Sequence, residues 1–316
     1  MLKTAICSLF GIEYPIIQGG MMWVGTAELA SAVSNAGGLG IIGAGDAEPE
    51  WVRQQIHLTR QLTGKPFGVN MTMFTPFIDE VIRVVLDEGV AVVAFGAGNP
   101  ERLIPRLKPA GIKVMAVVAS VAQAKLAQHV GADAIVAEGM ESGGEIGEVA
   151  AMVLVPQVVD SVQIPVVAAG GIADGRGLAA ALALGAQGVQ IGTRFVCSQE
   201  CIAHPKVKER IIQAGDRSTV VTGRNTGYAV RSLENRMSRQ FQVMERSGAT
   251  KEELDWFKQG RTYLGLVEGD VDEGWLLSGQ SAGLIKDIKP VKVIIQEIVA
   301  EAEAIIKTMG ERVNRG

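Results

Sequence analysis

Two neighbouring stretches decide the fold of this chain: Val166-Val167-Ala168-Ala169-Gly170-Gly171 and Gly188-Val189-Gln190-Ile191-Gly192-Thr193. Each begins as a short apolar run and ends in a loop that contains glycine. Apolar runs without alternating polar residues are typical of parallel strands that are covered on both faces. The residues between the two runs have helical periodicity, so the segment predicts a strand, a helix and a second parallel strand.

The same pattern recurs along most of the chain. Glycine turns precede several of the apolar runs and provide the left-handed residue that ends a helix. The runs cover residues 16–18, 39–42, 67–70, 91–94, 114–117, 134–137, 166–169 and 188–191. Eight successive βα units favour an α/β fold of the (β/α)8 TIM barrel type over the alternative, an open doubly wound sheet.

The repeat stops after Ile191, and the next part of the chain has a different pattern. Helical periodicity around residues 206–214 and 251–259, with polar connections, predicts an inserted and mostly helical lid subdomain over residues 197–275. We assign residues 1–196 and 276–316 to the barrel. A last amphipathic helix, at about residues 291–309, is expected to pack back on the barrel.

Composition limits the possible partners. The 316 residues are 47% hydrophobic, which is enough to bury a large core. The net charge of -4 and the mixed distribution of charge argue against nucleic acid as a partner. The N-terminus lacks a signal-peptide pattern and no apolar stretch is long enough to span a bilayer, so we expect a cytoplasmic protein without membrane contact. A homodimer is possible, with the lid and the last helix as candidate surfaces.

Cysteine and acidic residues do not form a metal site in the sequence. Cys7, Cys197 and Cys201 lack nearby histidines and are expected to be ordinary buried thiols. Glu138, Glu141, Glu145 and Glu148 are three or four residues apart, but the glycines between them make a helix that would align them unlikely. We therefore predict no metal ligands.

Glycine is concentrated after the strands, where the active site of a (β/α)8 barrel forms. Glycine at such positions lets a flat ring or a phosphate approach the backbone. The loops after strands seven and eight are common phosphate sites, and here they contain Gly170-Gly171 and Gly192-Thr193. Asn70 and Glu138 end two other strands, where a polar side chain either faces a ligand or braces the barrel mouth.

Six segments spread over the chain carry a family pattern: Ile17-Gln18-Gly19-Gly20-Met21, Ala36-Gly37-Gly38-Leu39-Gly40, Pro66-Phe67-Gly68-Val69-Asn70, Ala168-Ala169-Gly170-Gly171-Ile172-Ala173-Asp174-Gly175, Gln190-Ile191-Gly192-Thr193-Arg194-Phe195 and Gly279-Gln280-Ser281-Ala282-Gly283. They resemble the flavin-dependent enoyl-acyl-carrier-protein reductases of the nitronate monooxygenase-like superfamily. The resemblance implies a barrel that binds FMN non-covalently, NADH or NADPH as reductant, and an enoyl thioester, small or linked to acyl carrier protein, as substrate. The residues that match the family's FMN contacts are Gly19, Gly20, Met21, Asn70, Glu138, Gly143, Gly144, Gly170, Gly171, Gly192 and Thr193.

The chain departs from the family at the position of the active-site histidine. The family loop reads Gly-Gly-His, whereas this chain has Gly143-Gly144-Glu145, and a second expected histidine aligns with Tyr228. A glutamic acid with its ordinary pKa is ionised at neutral pH, so Glu145 can act as a proton donor only if its pKa is raised. Glu145 and Tyr228 are the catalytic candidates, with Tyr228 either supplying the proton or polarising the thioester carbonyl.

Three other functions remain alternatives at this point. A nitronate monooxygenase would use the same flavin site, although the family histidine is expected there too. A quinone-type NAD(P)H reductase needs less help from a positioned acid and is the easiest to reconcile with the missing histidine. A flavin-binding protein without catalysis would bind FMN that NAD(P)H does not bleach.

Overall fold

The eight apolar runs form the parallel strands of one barrel. The computed structural model describes residues 2–73, 75–96 and 98–313. In chain order its strands are β1 (Ile16–Gln18), β2 (Gly40–Gly45), β3 (Phe67–Thr72), β4 (Val92–Gly96), β5 (Lys113–Val118), β6 (Ala134–Glu138), β7 (Gly144–Glu145), β8 (Val166–Ala169), β9 (Gly188–Ile191), β10 (Thr219–Thr222) and β11 (Val230–Leu233). All eight strand predictions are confirmed.

Helices surround the barrel and build the lid. They are α1 (Ala5–Phe10), α2 (Ala27–Asn35), α3 (Pro49–Leu62), α4 (Ile78–Glu88), α5 (Ile104–Leu107), α6 (Val121–His129), α7 (Ala151–Ser161), α8 (Gly175–Ala183), α9 (Thr193–Val196), α10 (Pro205–Ile212), α11 (Arg236–Arg246), α12 (Lys251–Lys258), α13 (Arg261–Leu266) and α14 (Val291–Val313). Short 3₁₀ helices cover Lys108–Ala110, Arg224–Thr226 and Gln280–Leu284. Among the helices of the described residues we find none with the length and hydropathy of a membrane span.

The barrel closes between its first two strands. Around the ring the order is β1-β9-β8-β6-β5-β4-β3-β2, with every pairing parallel. The N–H of Gln18 donates to the carbonyl of Leu39 at 2.9 Å, and the N–H of Leu39 donates to that of Ile16 at 2.9 Å. This isolated bridge joins β1 to the residue before β2 and satisfies the edges that an open sheet would expose.

Helix α1 covers the amino-terminal end of the barrel. Its Ile6 and Phe10 are buried in one cluster with inward-facing barrel residues such as Ile17 and Val136. Ala5 donates its N–H to the side chain of Gln187, the residue before β9, at 3.3 Å. With this end filled, the barrel mouth lies at the carboxyl ends of the strands. Six residues are too few for a periodicity argument, and the sequence did not predict α1.

The predicted last helix is confirmed as α14 and packs on α8. Ile298 and Ala302 are buried in the main core. Gly175 opens α8 and donates its N–H to Glu301 at 2.7 Å, and a Cβ at Gly175 would lie 2.6 Å from the carbonyl oxygen of Ile298. The two helices therefore approach to backbone contact.

The lid is mostly helical, and it also contains a small antiparallel sheet that the sequence did not predict. The sheet has the order β10-β11-β7, so its third strand comes from the loop after β6 rather than from the lid. A separate apolar cluster, which includes Met237, Phe241, Leu254, Phe257 and Trp275, forms the core of the lid. Helix α10 instead buries side chains in the barrel core. The limits of the lid at residues 197 and 275 stay a prediction.

Glycine at position 40 is the sharpest packing constraint in the barrel wall. A Cβ there would lie 1.8 Å from the carbonyl oxygen of Ala30 in α2. We expect Gly40→Ala to lower the free energy of unfolding by about 3 kcal/mol or more, because the backbone of a packed helix must move. Gly64→Ala is the matched control, since its Cβ would have no atom within 4 Å. Equal urea midpoints for the two variants would contradict the expectation.

Candidate active site

A cavity of about 740 Å³ lies between the carboxyl ends of the barrel strands and the lid. It brings together every site residue that the sequence predicted. Its lining includes Gly19, Gly20, Met21, Asn70, Glu138, Gly143, Gly144, Glu145, Gly170, Gly171, Gly192, Thr193 and Tyr228. The lid side of the cavity, by contrast, has a set of residues that sequence reasoning missed, and these include Lys251, Asp255, Lys258, Tyr263 and Trp275.

The loop after β1 leaves no room for side chains at its glycines. A Cβ at Gly20 would lie 2.2 Å from Cγ of Asn70, so the small residue lets the Asn70 amide occupy this position. A Cβ at Gly19 would lie 3.6 Å from the Cα of Gly192, which brings the loops after β1 and β9 side by side. The barrel wall here is bare backbone, a surface on which a flat ring can lie.

The loop after β8 presents two successive left-handed residues. Gly170 has φ of 92° and Gly171 has φ of 75°, which side chains disfavour. A Cβ at Gly170 would also lie 2.8 Å from the carbonyl oxygen of Gly139. Glycine-rich loops of this kind can turn successive N–H groups toward one point and bind anions.

The loop after β9 is joined to the chain that returns from the lid. The hydroxyl of Thr193 accepts a hydrogen bond from the N–H of Gly279 at 3.0 Å. Gly279 in turn packs on Gly143, where a Cβ would lie 2.6 Å from the Gly279 nitrogen. The buried hydroxyl of Ser278 has no partner among the described residues. Three glycine-containing segments thus converge at the phosphate-binding end that the sequence predicted.

Glu138 ends β6 and is half-buried, with its accessible surface on the cavity. The Ser142 hydroxyl donates to its Oε1 at 2.6 Å. Enclosure by protein raises the pKa of Glu138 to about 7; nearby Glu145 adds to this rise, and the hydrogen bond from Ser142 opposes it. Near neutral pH this carboxyl can therefore both donate and accept hydrogen bonds.

Glu145 is positioned by the lid. It lies in β7, where Val230 of β11 is its partner, and the N–H of Ile146 donates to the carbonyl of Ala229 at 2.9 Å. Its side chain is exposed to the cavity. Burial of the surrounding segment raises the pKa of Glu145; Lys258 opposes the rise and Asp46 adds to it. Tyr228 lies two residues before Val230, so the same ladder holds both catalytic candidates at the cavity.

The lid wall of the cavity is both charged and aromatic. Lys258 pairs with Asp255 at 2.6 Å, and Asp255 also pairs with Lys251. The Lys251 ammonium lies 6.0 Å from the centroid of the Tyr228 ring. On the barrel side, Trp23 has a left-handed φ of 68°, the one such non-glycine residue in the described part of the chain.

Trp23 spans the cavity from the barrel to the lid. Its ring meets that of Tyr263 in α13 edge to face, with centroids 5.2 Å apart and an interplanar angle of 84°. An aromatic side chain at positive φ costs free energy. The contact between the two rings therefore offsets backbone strain while it fixes the distance between barrel and lid.

The remaining candidates lie elsewhere. None of the three histidines of the chain is among the described residues that line the cavity. The three cysteines are free and buried, as predicted. Burial raises the pKa of Cys197 to about 12 and that of Cys201 to about 11, so both stay protonated. In the described ranges, no group of three or more His, Cys, Asp or Glu side chains is arranged to hold a metal ion.

The raised pKa of Glu138 makes stability depend on pH. A carboxyl that holds its proton longer in the folded than in the unfolded chain makes folding less favourable as pH rises. For Glu138 the window runs from 4.5 to about 7, and at about 1.4 kcal/mol per pKa unit the loss is at most on the order of 3 kcal/mol. We expect Glu138→Gln to gain stability relative to the parent chain between about pH 5 and about pH 8. Urea unfolding of the flavin-free proteins at both pH values measures this gain, and parallel pH profiles would rule out the raised pKa.

Comparison with known proteins identifies the family. A family model described as nitronate monooxygenase matches residues 3–80 and 75–301. The solved structure of FabK from Thermotoga maritima superposes with a TM-score of 0.97 at 49% identity, covering 99% of this chain and 100% of that one. The similarity thus extends over barrel and lid together.

Two further relatives match at nearly full length. The Mycobacterium tuberculosis protein named (3aS,4S,5R,7aS)-5-hydroxy-7a-methyl-1-oxo-octahydro-1H-indene-4-carboxyl-CoA dehydrogenase is 37% identical, over 97% of this chain and 98% of its own length. A probable nitronate monooxygenase of Staphylococcus saprophyticus is 34% identical, over 96% of this chain and 99% of its own length. Since the family model and these relatives match almost the whole sequence, the chain belongs to the nitronate monooxygenase family.

Proposed function

We propose that the chain is an FMN-dependent oxidoreductase that takes electrons from NADH or NADPH and reduces the carbon–carbon double bond of an enoyl thioester. One observation carries the proposal. All residues that match the family's FMN contacts line a single cavity, and the carboxyl that replaces the family histidine lines the same cavity.

The residues of the cavity fit FMN. Gly19 and Gly20 offer bare backbone for a flat ring, and Asn70 and Glu138 offer polar side chains for its edge or for the ribityl hydroxyls. The left-handed Gly170-Gly171 pair, with Gly192 and Thr193, is suited to the phosphate. A bound flavin supplies two-electron chemistry, accepting hydride from a nicotinamide and passing it to an acceptor.

The side chains of this protein would handle the proton. Reduction of an enoyl thioester adds hydride at the β-carbon and a proton at the α-carbon. Glu145 is exposed to the cavity and has a raised pKa, so it can carry a proton at a higher pH than an ordinary glutamic acid. Tyr228, held by the same ladder, is the second candidate donor.

Two of the relatives support a thioester substrate. The name of the Mycobacterium tuberculosis dehydrogenase specifies a carboxyl-CoA substrate, which is a thioester. The motifs of this chain resemble those of the flavin-dependent enoyl-acyl-carrier-protein reductases, and its identity to FabK is 49%. A thioester carbonyl conjugated to the double bond is the shared chemical feature that the proposal uses.

Nitronate oxidation is the second candidate, and the family match favours it. Nitronates are anions, and in this chain Glu145 places a carboxyl beside Asp46 at the cavity where the family has an imidazole. When ionised, these carboxyls repel an anionic substrate. We therefore rank nitronate oxidation below enoyl reduction.

The direct test follows the flavin through both half-reactions. We expect NADH or NADPH to bleach the FMN absorbance anaerobically, and crotonyl-CoA or a longer enoyl thioester to restore it. Glu145→Gln should slow the thioester step by about 100-fold or more because it removes a proton donor, with bleaching unchanged. In the parent chain, this step should lose rate as pH rises through the raised pKa of Glu145, since the acid form is required.

Two variants locate the donor. Tyr228→Phe slowing the thioester step while Glu145→Gln leaves it intact would assign the proton to the tyrosine. Bleached FMN that no enoyl thioester reoxidises would refute enoyl reduction, and oxygen uptake with a nitronate or turnover with a quinone would then identify the acceptor. FMN that neither nicotinamide bleaches would indicate a binding protein.

The cofactor site can be tested apart from activity. Gly192 has an ordinary φ of -107°, and a Cβ there would meet only the Met21 sulfur, at 3.7 Å. We expect Gly192→Ala to fold normally but to weaken FMN binding by about 10-fold or more, because the methyl group projects toward the cofactor. Fluorescence titration of the flavin-free protein measures this, with Gly64→Ala as control. An unchanged Kd would place the phosphate elsewhere.

A further inference from the structure

Helix α12 has a charged face that points into the protein rather than to water. Lys251, Asp255 and Lys258 are spaced along one side of the helix and all line the cavity. Leu254 and Phe257, on another side, are buried in the core of the lid. A lid helix ordinarily turns its charged stripe to solvent. Here the stripe faces the substrate side of the cavity, where it must have a partner or a function.

The two lysines of this stripe have different surroundings. Lys251 pairs with Asp255 and stands over the Tyr228 ring, so its ammonium is already engaged. Lys258 ends the helix and donates to Asp255 at 2.6 Å. An ammonium has three donors, and the bond to Asp255 uses one. The side chain of Lys258 is 32% exposed, which leaves its tip accessible from the cavity.

Lys258 lies close enough to Glu145 to influence its charge. It is the neighbouring cation that opposes the rise in the pKa of Glu145, whereas Asp46 adds to the rise. The charged groups around this point are therefore Lys258, Asp255, Glu145 and Asp46. A cation and an acid thus flank one region of the cavity, although they come from the lid and from the loop after β6.

Enoyl reduction requires such a pair of groups. When hydride adds to the β-carbon, the π electrons of the double bond move toward the carbonyl and charge develops on the thioester oxygen. The α-carbon then takes a proton and the carbonyl re-forms, so that one hydride and one proton are added in total. A fixed hydrogen-bond donor at the developing oxyanion lowers the barrier, and removal of one such donor typically costs 100- to 1000-fold in rate.

We propose that Lys258 is a catalytic residue whose ammonium, held by Asp255, donates a hydrogen bond to the thioester carbonyl oxygen and stabilises the enolate. Glu145 or Tyr228 then delivers the proton to the α-carbon. This inference rests on the proposed enoyl reduction and adds to it a function for the lid: α12 supplies the group that recognises the carbonyl.

The test starts from reduced enzyme so that nicotinamide binding does not enter. The FMN is reduced with dithionite, and its reoxidation is followed by stopped flow with crotonyl-CoA and, separately, with ferricyanide, which has no carbonyl to polarise. We expect Lys258→Met to slow the thioester reaction by about 100-fold and to leave the ferricyanide reaction unchanged. Lys258→Arg, which keeps the charge, should recover part of the rate. Lys206→Met, in the exposed part of α10, is the matched control.

Each remaining result overturns a defined part. Equal thioester rates for Lys258→Met and the parent chain would overturn the function of Lys258 and leave enoyl reduction standing. Slowing with both acceptors would show that Lys258 only supports the lid, and would also overturn it. A parent enzyme that no enoyl thioester reoxidises would overturn enoyl reduction together with the inference built on it.

Discussion

Closure of the parallel barrel is the constraint on which the rest of the structure depends. The bridge between Ile17 and Leu39 joins the ends of the sheet, so all eight strands point their carboxyl ends to one rim. Helix α1 fills the opposite end with Ile6 and Phe10. Loops that are far apart in sequence therefore meet around one cavity, and the glycines in those loops decide how near a ligand can approach the backbone.

The sequence predicted the barrel well because each βα unit is a local pattern. A run such as Val166–Ala169 identifies its own strand, and the barrel geometry then determines where Gly170 and Gly192 must lie. The candidate site on the barrel side was predictable for the same reason: each residue follows directly after a strand.

The lid side of the site was not predictable in this way. The charged residues Lys251 and Lys258 look, in sequence, like the solvated face of a surface helix, and only the packing of α12 turns them inward. Strand β7 has two residues and owes its existence to pairing with β11. Long-range pairing of this kind leaves no periodicity in the chain, although the apolar pair Leu254 and Phe257 did indicate which face of α12 is buried.

The pairing of β7 with β11 divides the chain differently from the sequence. By connectivity, Glu145 belongs to the barrel, but by hydrogen bonding its strand belongs to the lid sheet. The acidic group and the roof of the cavity are thus parts of one mechanical unit. A displacement of that roof would carry the carboxyl away from the barrel rim, so the chemistry is assembled only while the lid is seated. Substitutions in the outer strand β10 can therefore alter turnover from a distance, by changing how firmly the unit is held.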